Sequence, residues 1–120
     1  MKKQTTGALG EKIAAEFLKK NDYEILATNY RCSDGEIDII TKHHDTLVFV
    51  EVKTRSSRQF GSPEESITPV KKEKLRGLAE RYRQEHEDLP ENWRIDVVAI
   101  EMGQGGRVKR IEIIENAVEG

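Results

Sequence analysis

The chain has 120 residues, with 20 Lys or Arg against 22 Asp or Glu and a formal charge of −2. This length predicts a single domain over residues 1–120, with a two-layer core and no room for a regulatory module. The near balance of charge excludes a uniformly basic nucleic-acid binder, and no apolar run approaches the ~20 residues of a membrane helix. Cys32 stands alone, so no internal disulfide is expected. The basic Met1-Lys2-Lys3-Gln4 start is followed by no apolar secretory segment, so the expectation is a reduced, cytoplasmic protein.

Residues 7–20 predict a helix. Leu9, Ile13 and Phe17 recur at helical spacing, and Ala14 and Leu18 widen the stripe. Glu11 edges this packing face beside Gly7, Ala14, Ala15 and Leu18, where a carboxylate is costly unless paired or bound to a cation. Gly7 and Gly10 are expected to let the helix approach a sheet closely. Strands are predicted at 24–31, from Glu36 to Lys42 and from Leu47 to Thr54, the last rich in Val and Phe. His43 to Thr46 reads as a turn in which His43 and His44 face solvent. Ser56 to Ser66 reads as a loop. Thr68-Pro69 starts a second helix, with Thr as cap and Pro in the first helical position. Its stripe is Leu75, Leu78, Ala79 and Tyr82, and it ends before Pro90. Arg94 to Glu101 and Val108 to Glu115 predict two last strands around a turn at Gly103–Gly106. The order αβββαββ predicts a central mixed sheet with helices packed against it.

Charge is distributed unevenly along these elements. Residues 53–83 hold nine bases against four acids, a net +5 between flanking segments of −2 and −5. Such a block is either a solvated helix face or a local patch for phosphates on an acidic body. Lys71, in the first turn of the second helix, projects toward the end of the sheet. Lys72, Lys74, Arg76, Arg81 and Arg83 fan out around the other sides, where plain surface charge is the commoner reading.

The second and third strands carry the candidate chemistry. Side chains alternate along a strand, so Glu36 and Asp38 share one face and Ile37 and Ile39 the other. Val48, Val50 and Val52 oppose Leu47, Phe49, Glu51 and Lys53. A hairpin symmetric about His44-Asp45 sets Asp38 opposite Glu51 and Glu36 opposite Lys53. Two facing carboxylates are destabilising unless something intervenes. A divalent cation removes the penalty, because Mg²⁺ takes one or two carboxylates plus substrate phosphate. Lys53 then orients a water or neutralises a phosphate. A Glu-x-Lys strand is also what a solvated, salt-bridged face looks like, and on these residues alone both readings stand. His43-His44 is too small a set for structural zinc, which needs four ligands.

Gly7-x-x-Gly10-Glu11, Asn29-Tyr30-Arg31, Gly35-Glu36-Ile37-Asp38-Ile39-Ile40, Val48-Phe49-Val50-Glu51-Val52-Lys53-Thr54-Arg55 and Arg94-x-Asp96-Val97-Val98 together resemble the bacterial YraN-like family. That family looks like a branch of the restriction-endonuclease-like PD-(D/E)xK nucleases, nearest in layout to archaeal Holliday junction resolvases. The resemblance implies an αβββαβ core and metal ligation of Mg²⁺ or Mn²⁺ by Asp38, Glu51 and the Val52 carbonyl. It implies Lys53 as the catalytic lysine and Glu11 as an extra catalytic acid. Arg31, Arg55 and Lys71 become phosphate contacts, with Lys72 and Lys74 beside them as candidate nucleic-acid contacts. Ile37 stands where the superfamily often has Pro, and Lys71 where many such nucleases carry Gln. The expected substrate is structured or branched DNA in repair or recombination, and a homodimer would suit it. The competing expectation is a catalytically silent nuclease-fold module that holds nucleic acid, or a repair or membrane-remodelling partner, on the 53–83 patch. A third is a structural protein whose acids are paired by Lys and Arg.

Overall fold

The Val-, Ile- and Phe-rich stretches form strands because β-branched and aromatic side chains fit a pleated surface better than a helical turn. The computed structural model describes residues 6–56 and 62–118. Its elements are α1 (Thr6–Lys20), β1 (Tyr23–Cys32), β2 (Gly35–His43), β3 (Thr46–Arg55), α2 (Pro69–Glu85), β4 (Asn92–Met102) and β5 (Val108–Ile114). Short 3-10 turns occupy Pro63–Ser66 and Gln104–Gly106. At the start of α2 the Thr68 hydroxyl accepts from the Lys71 N–H at 3.2 Å and Pro69 follows directly. The helix stops at Glu85, well before Pro90. No helix among the described residues is long and apolar enough to cross a membrane.

The five strands form one mixed sheet in the order β1-β2-β3-β4-β5. The β3–β4 pair is parallel and the other pairs are antiparallel. Parallel neighbours need a crossover, and α2 supplies it. The expected two-layer core is in fact three layers, because the helices take opposite faces. Ala14 and Leu18 of α1 pack over Ile39, Val48, Val50, Val98 and Ile100. Leu75, Leu78, Ala79 and Tyr82 of α2 pack over Ile37, Ile40, Leu47, Phe49 and Ile95. A sheet buried on both faces explains why β3 and β4 read as nearly continuous apolar runs.

Three local expectations are corrected. Ile37 and Ile39 do not share a face: Ile37 lies under α2 and Ile39 under α1. The β1–β2 ladder passes from Thr28↔Ile39 to Tyr30↔Ile37, and between them Asn29 takes a left-handed φ of 53°. That interruption of the pleat lies opposite Asp38. Second, the β2–β3 register is the symmetric one, from His43↔Thr46 to Ile39↔Val50, but the ladder ends there. Asp38 and Glu51 are therefore not a cross-strand pair, nor are Glu36 and Lys53. Beyond Val50 the two strands part, while β3 stays bonded to β4 as far as Arg55↔Glu101. Third, Gly10 is where the helix comes close: a Cβ there would stand 2.2 Å from Thr54 Oγ1, whereas one on Gly7 would meet nothing within 4 Å.

At the opposite end of the sheet, Arg94-x-Asp96 builds a buried polar clamp. Asp96 is wholly buried. It accepts from Tyr23 Oη at 2.8 Å, Arg94 Nε at 2.9 Å and the Asn116 N–H at 2.9 Å. Three donors satisfy a carboxylate that would otherwise be prohibitively costly to bury, and the last of them ties down the segment after β5. His43 belongs to this clamp rather than to solvent. Its ring stacks on Tyr23 at 4.0 Å and its Nδ1 lies 2.9 Å from Arg94 Nη2. His44 is exposed.

Candidate active site

The fork between β2 and β3 opens a cleft of about 570 Å³ floored by the sheet end and walled by the start of α1. A buried backbone N–H must find an acceptor once its ladder partner is gone. Asp38 provides it: its Oδ2 accepts from the Val52 N–H at 2.8 Å. That bond wedges the Asp38 carboxylate into the fork next to Glu51. Glu51 is itself only 5% exposed. Lys53 Nζ lies 3.8 Å from its Oε1 and Lys71 Nζ 3.7 Å from its Oε2. Lys71 reaches in from the first turn of α2, as its helical position predicts.

A second acidic group adjoins the first. Glu11, Glu36 and Asp38 each place one carboxylate oxygen within 4.8 Å of the others. The close approach of α1 at Gly10 is what carries Glu11 to the sheet. With its amide nitrogen facing the acids, Asn29 donates to Glu36 Oε1 at 2.7 Å and to Glu11 Oε1 at 3.1 Å. The left-handed turn at Asn29 thus has a purpose in the site, and Asn is among the few residues that adopt it readily.

This crowding shifts the acids upward. Glu51 is pushed up to about 7, first by burial and then by the neighbouring Asp38 charge, against the pull of Lys71 and Lys53. Burial also raises Asp38, opposed by its bond from Val52. Glu11 is raised by burial and by the charges of Asp38 and Glu36. Carboxylates perturbed together in a cleft mark a candidate functional site. The donor set is all oxygen, which suits a hard divalent cation. Glu51 Oε2 is buried, with Lys71 Nζ at 3.7 Å and no hydrogen bond among the described residues, so this oxygen is open to a cation.

The family model for the uncharacterised protein family UPF0102 matches residues 10–100. A relative from Roseiflexus castenholzii is 50% identical over 115 residues, covering 94% of this chain and 92% of its own. One from Caldicellulosiruptor saccharolyticus is 47% identical over 117 residues, covering 98% and 99%. The chain belongs to the UPF0102 family. A further relative, from Beutenbergia cavernae, is 44% identical over 107 residues. Each carries the name UPF0102 protein, so the family is identified without an activity.

In this UPF0102 chain the predicted residues separate into two groups. Glu11, Asp38, Glu51, Val52, Lys53, Arg31 and Arg55 line the one cleft, and Lys71 joins it through Glu51. Arg31 holds Glu36 at 3.3 Å, so Glu36 is paired with Arg31 and not with Lys53. Arg55 Nε is buried without a hydrogen-bond partner among the described residues. Lys74 lies apart: its stem covers Gly35, and it lines a neighbouring hollow with Arg31 and Glu36. Lys72 is not among the cleft's lining residues. Arg76 and Arg81 pair with Glu73 and Asp34, as plain surface charges do. Arg58 lies outside the described residues. Asn29, Glu36 and Thr54 are site residues that sequence reasoning did not assign. The alternation that put Glu36 on the face of Asp38 was the available signal for one of them.

Proposed function

We propose that this chain is a metal-dependent endonuclease, with a restriction-endonuclease-like core, that hydrolyses phosphodiester bonds in structured or branched DNA. The observation that carries the reading is the fork: Asp38 and Glu51 brought together where β2 and β3 part, with Lys53 and Lys71 within 4 Å of Glu51. The element order α1-β1-β2-β3-α2-β4 agrees with such a core. The residues fit Mg²⁺ or Mn²⁺, which the Asp38 and Glu51 carboxylates and the Val52 carbonyl would hold. When bound, the ion supplies an activated water and positive charge at the scissile phosphate.

The chain's own groups supply the remainder. Lys53 brings a positive charge to the oxygens on which negative charge develops, in a cleft where such charge acts more strongly than in water. Lys71 and Lys53 together hold the Glu51 carboxylate in place from two sides. Asn29 orients Glu11 and Glu36 on the α1 side, and the raised affinity of Glu11 for a proton suits it to exchange one with solvent or substrate. Arg31 and Arg55, at the rim of the cleft, receive the flanking phosphates. Substituting Asp38→Asn keeps an acceptor for the Val52 N–H and removes a ligand charge. Mg²⁺- or Mn²⁺-dependent cleavage of branched DNA should then fall below detection while thermal unfolding stays cooperative. Undiminished cleavage by the purified variant refutes the assignment. A wild type that binds such DNA with steep salt dependence and leaves it intact identifies the silent nucleic-acid module instead.

A further inference from the structure

The acid cleft is not the last feature at its end of the sheet. Arg55 lines the cleft, and the next residue, Ser56, lines a second hollow of about 740 Å³ with Met102, Gly103, Gln104, Arg107 and Lys109. The turn before β5 also approaches α1. A Cβ on Gly106 would stand 3.9 Å from Leu9, between the Ala8 and Glu11 that wall the cleft. Among the described residues, this second hollow has no carboxylate in its lining.

Its two cations differ from five of the arginines. Arg31, Arg76, Arg81, Arg94 and Arg110 each have a carboxylate oxygen within 4 Å. Arg107 and Lys109 have none among the described residues. The backbone holds them in place: the Gly103 N–H donates to the Arg107 carbonyl at 2.6 Å, closing the turn beneath them. Gly103 accommodates the Lys109 stem, which would meet a Cβ there at 3.0 Å. Charge counting along the chain conceals this pair, because both residues belong to the segment of net −5. The fold separates them from its acids, and Arg110 absorbs Glu101 and Glu112 alongside.

We propose that Arg107 and Lys109 form a phosphate-contact surface that carries the nucleic-acid backbone out of the cleft past Arg55 and over the turn before β5. The inference rests on the nuclease reading for its ligand, but it concerns binding rather than cleavage. Cations beside an acidic cleft, without a carboxylate partner among the described residues, suit a polyanion whose reacting phosphate lies among the carboxylates. Each phosphate neutralised releases counterions, so the contacts are legible in the salt dependence of binding.

The test is binding of a labelled branched DNA and of a matched duplex across a salt series, with Ca²⁺ in place of Mg²⁺. Arg107→Gln/Lys109→Gln keeps the side-chain stems and removes both charges. Its affinity for the branched DNA should fall about tenfold, and the slope of log affinity against log salt should become less steep by about 1.8. Lys20→Gln/Lys42→Gln removes the same charge from exposed residues at the far end and should change affinity by less than about twofold. Equal losses in both variants, or none in the first, overturn the proposal. A wild type that binds no DNA overturns this surface and the nuclease reading together. If the Arg107/Lys109 loss is seen but no metal supports cleavage, the surface stands and the nuclease reading fails.

Discussion

Glu51 pits function against stability, and the conflict is measurable. Its carboxyl is pushed from 4.5 up to about 7 in the folded chain, so the fold binds a proton there more tightly than the unfolded chain does. Stability contributed by that proton is present at low pH and is lost as pH rises from about 4.5 through 7. At 1.36 kcal/mol per pKa unit, the penalty at full ionisation is roughly 3 kcal/mol. Glu51→Gln removes the charge at nearly constant shape. In a chelator, the variant should gain on the wild type by about 2 kcal/mol between about pH 5 and about pH 8. That difference is roughly 6–10 °C in Tm for a chain of this size. Millimolar Mg²⁺ should narrow the gap at the higher pH, because a bound cation stabilises the ionised wild type. The assay is thermal unfolding across that pH range with and without the metal. A stability difference independent of pH would refute the reasoning, since it would mean that Glu51 ionises without penalty.

Two further outcomes test how the site is held. Gly10→Ala should destabilise by about 1–3 kcal/mol because its Cβ would meet Thr54 Oγ1, although Ala in an exposed helix would stabilise by about 1 kcal/mol. Adding Thr54→Ala should restore part of the loss, and a raised Tm in the single variant would show that α1 does not press on β3. Arg94→Met should cost about 3–5 kcal/mol in urea unfolding, because it strands the fully buried Asp96 charge. Tyr23→Phe, which removes one neutral donor from the same carboxylate, should cost about 1 kcal/mol; equal losses would contradict the charge argument.

The clamp at Asp96 and the fork at Asp38 show where sequence reasoning runs out. Both carboxylates stand in apolar strands, and pattern alone makes either a candidate for chemistry. Asp96 is satisfied by Arg94 two residues before it and by Tyr23 and Asn116, whose arrival from β1 and from beyond β5 no local spacing announces. Asp38 has one backbone donor and three acidic neighbours, one of them delivered by a helix.

What the sequence determined by itself was local. Helical and strand periods, the Thr68-Pro69 cap and a turn within His43 to Thr46 follow from backbone and side-chain preferences within a few residues. A hairpin symmetric about His44-Asp45 was one register open to the sequence, and the structure adopts it only as far as Ile39↔Val50, short of a direct Asp38–Glu51 pair. The parting of β2 from β3, the slip of alternation at Asn29 and the approach of α1 through Gly10 were decided by tertiary structure. Each depends on which surface a strand or helix meets after the chain has turned back on itself. The same holds for charge: Lys71 joins the site and Lys72 does not, and Arg107 and Lys109 escape the acids beside them in sequence. A formal charge belongs to the residue, but its partner is chosen by the fold.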